Sequence, residues 1–364
     1  MRGGEQGLEV LVFPRDANPY QSRLYDALDR IGVRSRYVGE LGPSHSLNLL
    51  LLPVELLLGR IRGTRILHLH WVFGFEFTGS YKRARLKWVS YLWYLVVLGS
   101  ARALGIRIVW TLHNVLPHQP VFPDDVRARR RLLGAASLVI AHSPQALAEL
   151  RQVVGEPRRA VVLAHPRFHE REAPGPRGAA TRRVLLFGRI AAYKGVEETI
   201  DAFDQVAGST SLELTIAGEC HDPHLRERLG VLAASHAGRV RVRLEHVPEH
   251  ELSALFADHD VQWLPYRRAA TSGAAIMGAE MGLPLAISAL PAFDDVPGLR
   301  LGQDRESLAG TLREIDTMPA DRLTDLSTLS IQWSRSQGTW DEVAAQLKLR
   351  LLDLLKPSPR RRIP

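Results

Sequence analysis

The chain has 364 residues, 45% apolar and 24% charged, enough to bury the cores of two ordinary domains. Its one cysteine, Cys220, excludes a disulfide framework and a cysteine-rich metal site, and fits a reducing compartment. A formal charge of +8 suits phosphate-rich ligands, nucleic acid or anionic lipid without choosing among them.

The start, MRGGEQGLEVLVFPRD, runs from a polar lead into a short buried strand and has no signal-peptide pattern. Arg15, Asp16, Asn18 and Tyr20 follow that strand, and NPYQSRLYDALDRIG predicts a helix with Leu24, Leu28 and Ile31 on one face. LNLLLLPVELLLGRIRG (47–63) is strongly apolar but interrupted by Pro53 and Glu55. YKRARLKWVSYLWYLVVLGSARALG (81–105) sets Lys82, Arg83, Arg85 and Lys87 before an aromatic and aliphatic run. Neither supplies roughly 18 uninterrupted apolar residues, so neither predicts a membrane span. Two readings stay open: core helices with solvated basic faces, or a helix on an anionic membrane surface with Trp88, Trp93 and Tyr94 near the headgroups.

RILHLHW, IRIVWTLHN and ASLVIAHS read as buried strands, and PQALAELRQVV as a helix entered through Ser143 and Pro144. His68, His70, His113 and His118 group around two of these strand ends, which argues for a site over satisfied core histidines. Their spacing matches no familiar ligand pattern, so no metal is expected. PRFHEREAPGPRGAATRR then breaks the periodicity and predicts a linker over 166–181.

The alternation restarts with RVLLFG and runs through DVQWLPY. The chain therefore predicts an α/β fold of two doubly wound Rossmann-like domains, 1–165 and 182–330. A C-terminal helix over 331–356 and a basic tail over 357–364 complete it. In such sheets ligands bind beyond the carboxyl ends of the strands, which puts the expected site in a cleft between the two domains.

In LLFGRIAAYKGVEETIDAF (185–203) a strand ends at Gly188, and Arg189 and Lys194 precede a helix. A planar fork and a point charge beside a helix start suit a diphosphate. PYRRAATSGAAIMGAEMGLP (265–284) follows Tyr266, Arg267 and Arg268 with almost nothing but small residues. Thr271, Ser272 and an unhindered Gly273 at a helix start can cradle a phosphate, with Arg267 or Arg268 adding a cation; a small-residue helix packed tightly on the sheet explains the alanines equally well.

The FGRIAAYKGVEETIDAF stretch resembles the Gly-Arg…Lys-Gly segment of GT-B glycosyltransferases. The likeness is above all to the large retaining family 4, or group 1, which includes sucrose and glycogen synthases and many bacterial mannosyltransferases. LELTIAGE and RVRLEHVPEHELSALFADHDVQWLPY extend the resemblance over about 182–290, and TWDEVAAQL looks like the helix that crosses back to the first domain. The resemblance implies a UDP- or GDP-linked sugar donor and neither cofactor nor metal. Donor contacts would come from Gly188, Arg189, Lys194, His246, Val247, Tyr266, Arg267, Thr271, Ser272 and Gly273. Arg189 and Lys194 would neutralise the leaving diphosphate, and His113 matches a histidine that contacts the transferred sugar.

On the acceptor side it points to His70, Trp71, Asn18 and Tyr20. An inverting course needs a base, for which Glu76, His113 or Asp16 could serve; a retaining course needs none. One departure is sharp: Ala269 and Met277 stand where the family carries two glutamates, and nearby Glu280 reads as a surface or helix-packing residue. The implied acceptor is a lipid-linked glycan of cell-surface polysaccharide assembly, with the enzyme cytoplasmic and peripheral on the inner face of the plasma membrane. The alternatives are a soluble natural-product acceptor, or a non-catalytic binder of nucleotide or nucleic acid.

Overall fold

The structure, a computed structural model, describes residues 8–356 except 17, 79–82, 118–119, 169–181, 237 and 270. It divides into two compact units, Met1–Ala164 with Thr339–Pro364, and His165–Gly338. Most of the expected linker, the basic tail, Lys82 and His118 lie outside the described residues.

The first unit runs β1 (Leu8–Phe13), α1 (Pro19–Arg30), β2 (Val33–Tyr37), α2 (His45–Ile61), β3 (Ile66–Leu69) and α3 (Ala84–Ala103). It continues through β4 (Arg107–Leu112), α4 (Asp125–Ala135), β5 (Ala136–Ala141), α5 (Pro144–Val153) and β6 (Ala160–Val162). Its strands pair in parallel in the order β2-β1-β3-β4-β5-β6. Near-continuous apolar strands such as Val10–Phe13 are buried on both faces, as helices on either side of a parallel sheet require. The strand order reverses between β1 and β3, so a crevice opens at their carboxyl ends.

The second unit runs β7 (Arg183–Phe187), α6 (Val196–Val206), β8 (Glu213–Ala217), α7 (Pro223–Ser235), β9 (Val240–Arg243) and α8 (Glu249–Ala257). It continues through β10 (Val261–Leu264), α9 (Gly273–Glu280), β11 (Leu285–Ser288), β12 (Leu299–Leu301), α10 (Arg305–Thr317) and α11 (Ala320–Ser336). Its parallel order is β12-β11-β10-β7-β8-β9, which within the unit is the dinucleotide-binding order 3-2-1-4-5-6. Here the reversal falls between β7 and β10. Alternation along β10 sends Val261 and Trp263 into one core with α6 and α10, and Leu264 into the other with α9.

The run of small residues in α9 has a packing cause. A Cβ at Gly278 would land 1.6 Å from Gln262 Oε1, and Gln262 Nε2 donates to the Ala274 carbonyl at 2.9 Å. The helix lies directly on β10, so a side chain at position 278 must displace either Gln262 or the helix.

The expected single helix over 331–356 is two. α11 ends at Ser336, Gly338 takes the left-handed φ of +77°, and a capping box of Thr339 and Glu342 starts α12 (Trp340–Leu355). α12 belongs to the first unit, where Lys348 Nζ donates to the Ile31 carbonyl at 2.5 Å and Asp341 pairs with Arg30 at 2.5 Å.

α2 and α3 settle which aromatic residues face out. Pro53 has no N–H, so the Leu49 carbonyl one turn earlier loses its helical donor. Trp93 Nε1 on α3 supplies it at 2.8 Å. Tyr94 is fully buried and donates to the Ala128 carbonyl at 3.0 Å. Trp93, half-buried, and Tyr94 therefore both tie α3 to its neighbours, and Tyr94 is no headgroup contact. The exposed apolar face is instead Leu47, Leu50, Val54 and Ile61 on α2 with Trp88 and Leu92 on α3. No helix among the described residues is long and apolar enough to cross a membrane.

Candidate active site

Two constellations sit at the two strand-order reversals. In the second unit, the chain leaves β7 through Gly188, whose φ of +103° only glycine adopts without strain. Lys194 folds back over it: a Cβ on Gly188 would meet Lys194 Nζ at 2.8 Å. The ammonium also lies 5.3 Å from the Tyr266 ring centroid, a cation–π distance. Lys194 is buried, and that burial lowers its pKa from the ordinary lysine value, opposed by Tyr193 and reinforced by Arg189. Gly195 locks the geometry, since at φ +67° a Cβ there would lie 2.0 Å from the Pro265 carbonyl oxygen. The β7 exit and the β10 exit thus form one surface.

Around this cation, Tyr266 Oη and Ser272 Oγ share a hydrogen bond of 3.0 Å, and Ser272 caps α9 by accepting from the Ala275 N–H at 3.1 Å. Thr271 is half-buried beside it, and Arg189 is exposed. Arg267 forms an ion pair with Glu198 on the first turn of α6, so its charge is already engaged. Gly273 is not unhindered as expected: a Cβ there would come within 3.3 Å of the Phe168 ring. Glu280 is no surface residue either. It is buried, and its carboxylate accepts from the Phe168 N–H. Val247 is buried and His246 exposed in the turn before α8. Ala269 and Ala274 pack against the core that Leu264 enters, with Met277 buried on the same helix.

In the first unit, three adjacent strands are each followed by a histidine: His70 after β3, His113 after β4 and His142 after β5. His70 Nδ1 and His113 Nε2 lie 3.1 Å apart. Tyr25 Oη bridges His68 Nδ1 at 2.8 Å and His70 Nε2 at 2.7 Å, and His68 Nε2 meets Thr111 Oγ1 at 2.7 Å. Burial pushes His68 down to about 3, His142 down to about 4 and His70 well below the ordinary imidazole value, so all three are neutral. Both ring nitrogens of His68 and of His70 are engaged in hydrogen bonds within the protein, which leaves no metal-ligating lone pair on either. Trp71 stacks on His113 at 4.4 Å, and the buried Tyr20 ring sets its edge against His113, His142 and Trp340.

Sequence reasoning placed His68, His70, His113, Trp71 and Tyr20 here. It missed Tyr25, Thr111, His142 and Trp340. His142 was legible, because IAHS repeats the strand-then-histidine pattern of LHLH and TLH. Asn18 acts locally, capping α1 by accepting from the Tyr20 N–H at 3.0 Å. Glu76 lines a cavity of about 530 Å³ with Phe13, Arg15, Glu40, His45, Phe73 and Phe77 among others, and His45 Nε2 lies 3.0 Å from the Glu76 carbonyl oxygen. The cavity's volume is within the range of small-molecule sites. Arg15 pairs with Glu40 at 3.0 Å on its rim, and Asp16 accepts from the Asn18 N–H at 2.8 Å.

Comparison with known proteins adds a family to this geometry. Residues 181–315 match the family Glycosyl transferases group 1. A GDP-mannose:glycolipid 4-beta-D-mannosyltransferase of Xanthomonas campestris pv. campestris is 26% identical over 322 residues, covering 86% of this chain and 84% of that one. Among solved structures, a sucrose-phosphate synthase from Thermosynechococcus elongatus superposes with a TM-score of 0.75 at 18% identity, covering 96% of this chain and 99% of that one. The Anabaena protein HepE, in complex with UDP and glucose, superposes at 0.66 with 14% identity, covering 95% and 100%. Two parallel six-stranded sheets of this kind in one chain are the architecture of the GT-B fold.

Proposed function

We propose that this chain, whose residues 181–315 match the family Glycosyl transferases group 1, moves a hexose from a nucleotide-diphosphate sugar to a hydroxyl of a lipid-linked glycan, without a metal. The observation that carries the reading is the buried Lys194 ammonium above Gly188 at the strand-order reversal of the second unit. When the anomeric C–O bond breaks, the leaving diphosphate gains negative charge. A preorganised cation at low dielectric stabilises that charge with little reorganisation, and exposed Arg189 adds a second.

GDP-mannose is the first donor to test, because the 26%-identical relative carries it in its name; UDP-glucose, found in a HepE complex, is the second. For the acceptor, the aromatic and carboxylate lining of the first-unit cavity suits a sugar ring, and Glu76 takes the general-base role if the course is inverting. His45, the first residue of the apolar helix α2, also lines that cavity, so a glycan there would have a lipid-compatible face beside it.

Thermal unfolding with GDP, UDP and ADP, each with and without EDTA, tests the proposal. GDP or UDP at 100 times its Kd should add about 2.7 kcal/mol of stability, and EDTA should not remove it. No stabilisation by any nucleoside diphosphate sinks the donor site. Stabilisation lost to EDTA replaces the cations with a metal.

A further inference from the structure

Helices on the surface of a domain turn a polar face outward, but α2 and α3 do the reverse. Every exposed position of α2 from Leu47 to Ile61 is aliphatic: Leu47, Leu50, Val54, Leu57, Leu58 and Ile61. On α3 the exposed positions from Trp88 to Gly99 are Trp88, Val89, Leu92, Val96 and Gly99, again with no charged group. Steps of three and four residues put each set on one stripe. The stripes lie side by side, because Trp93 Nε1 donates to the Leu49 carbonyl at 2.8 Å and Arg60 Nε to the Leu104 carbonyl at 3.0 Å. At 1.5 Å per residue each helix is roughly 25–30 Å long, so the two stripes form a contiguous patch, not scattered single residues. Such a patch marks an interaction site.

Its rim is cationic. Arg83 and Arg85 are exposed and Lys87 is half-buried at the start of α3, Arg102 is exposed at its end, and exposed Arg62 and Arg65 follow α2. Against these, the two helices hold one carboxylate, Glu55, which is buried and accepts from the Gly39 N–H at 2.9 Å. The occupant must therefore be apolar over its middle and anionic at its edges. A second copy of this chain fails on charge, since a two-fold interface sets the patch against itself, cations facing cations. A soluble protein partner fails on hydrogen bonds. Such interfaces carry about one per 100–200 Å², and among the stripe's side chains only the Trp88 indole N–H could make one. A lipid surface meets both conditions, with acyl chains against the stripe and anionic headgroups at the rim.

We propose that the α2–α3 face docks on a bilayer containing anionic lipid. The helices lie in the plane of the surface, with Leu50, Val54, Leu92 and Val96 below the headgroups and the Trp88 ring at their level. This goes beyond the sugar-transfer reading and stands without it. Where both hold, the cavity lined by His45, at the start of α2, lies beside the membrane surface.

Co-sedimentation of the full chain with vesicles tests the proposal. The wild type should bind vesicles of equal parts phosphatidylglycerol and phosphatidylcholine. It should bind phosphatidylcholine alone about tenfold more weakly or worse, and lose affinity between about 0.1 and about 0.5 M NaCl. Leu50→Glu with Leu92→Glu changes two exposed residues and should lower affinity about tenfold or more. Arg85→Gln and Arg102→Gln should cost about fivefold each. Lipid brominated on its acyl chains should quench the wild-type tryptophan emission, and Trp88→Phe should remove most of that quenching. A wild type that binds no anionic vesicle overturns the proposal, whatever the variants do. Sedimentation velocity then assigns the face: a dimer dissolved by the double glutamate variant gives it to a second copy, and a monomer gives it to a soluble protein partner. Vesicle binding that the arginine substitutions weaken and the two glutamates leave unchanged also overturns it, in favour of a diffuse basic surface. No nucleotide enters these measurements, and no lipid enters the thermal unfolding with GDP, so either reading can fail while the other stands.

Discussion

Gly188 shows how one missing side chain carries a function. Its φ of +103° disfavours any Cβ, and the space a Cβ would fill is held by Lys194 Nζ. Gly188→Ala should therefore cost about 1 kcal/mol or more of stability through the backbone. It should also push the ammonium off its position over Tyr266. We expect GDP affinity to fall roughly tenfold, or about 1.4 kcal/mol, in the same thermal-shift assay. Lys194→Ala should cut turnover far more than Arg268→Ala, since Arg268 is an exposed residue of the same loop. Equal small effects from Lys194→Ala and Arg268→Ala would put the diphosphate elsewhere. Both Gly188 and Lys194 were legible in the sequence, because a strand followed by glycine and a cation is a local signal. Tyr25 was not. Its partners are 43 and 45 residues away, and helical periodicity presents it as an ordinary core residue of α1.

At the scale of elements, the pairing of α2 with α3 turns on a defect and its repair. Pro53 orphans the Leu49 carbonyl, and Trp93 Nε1 satisfies it. Trp93→Phe should cost about 1–3 kcal/mol, since it leaves a buried acceptor without its donor and removes part of a ring. Pro53→Ala restores the backbone N–H, so in that background the same substitution should cost less, by about 1 kcal/mol. Urea unfolding of the four proteins in this cycle measures the difference. Strict additivity would mean that the Trp93 hydrogen bond contributes nothing beyond packing. The sequence showed both helices as apolar and the second as basic at its start. It could not show which aromatic faces inward, because Trp88, Trp93 and Tyr94 follow one another on a helix that is apolar nearly all round. Neighbours on α2 and α4 decide it, through the Leu49 and Ala128 carbonyls.

For the whole molecule, two β/α runs were enough to predict two doubly wound sheets, because buried parallel strands read as uninterrupted apolar segments. The strand orders were not legible: no local pattern tells β1 to separate β2 from β3, or β7 to separate β8 from β10. Yet those orders create the two crevices, and they also place the neutral histidines unevenly. His68, His70 and His142 all lie in the first unit, whereas in the second burial lowers His259. The unfolded chain takes up protons at these histidines near the ordinary value of about 6.5, and the folded unit refuses them down to about 4 and about 3 at His142 and His68. Their stabilising contribution is therefore complete above pH 6.5 and declines as pH falls toward the folded values. Between pH 6.5 and 5.5 each should remove about 1 kcal/mol, on the order of 3 kcal/mol for the three. Carboxylates respond mainly below this window, near their ordinary values of about 4. Backbone hydrogen exchange followed by mass spectrometry at pH 7.5, 6.5 and 5.5, corrected for the intrinsic pH effect, separates the units. Protection in β3, β4 and β5 should fall steeply across the window, and protection in β7, β8 and β10 only slightly. Parallel loss in both units would mean that the three histidines accept protons within the fold, and that the buried hydrogen-bonded chain opens to water before the unit unfolds.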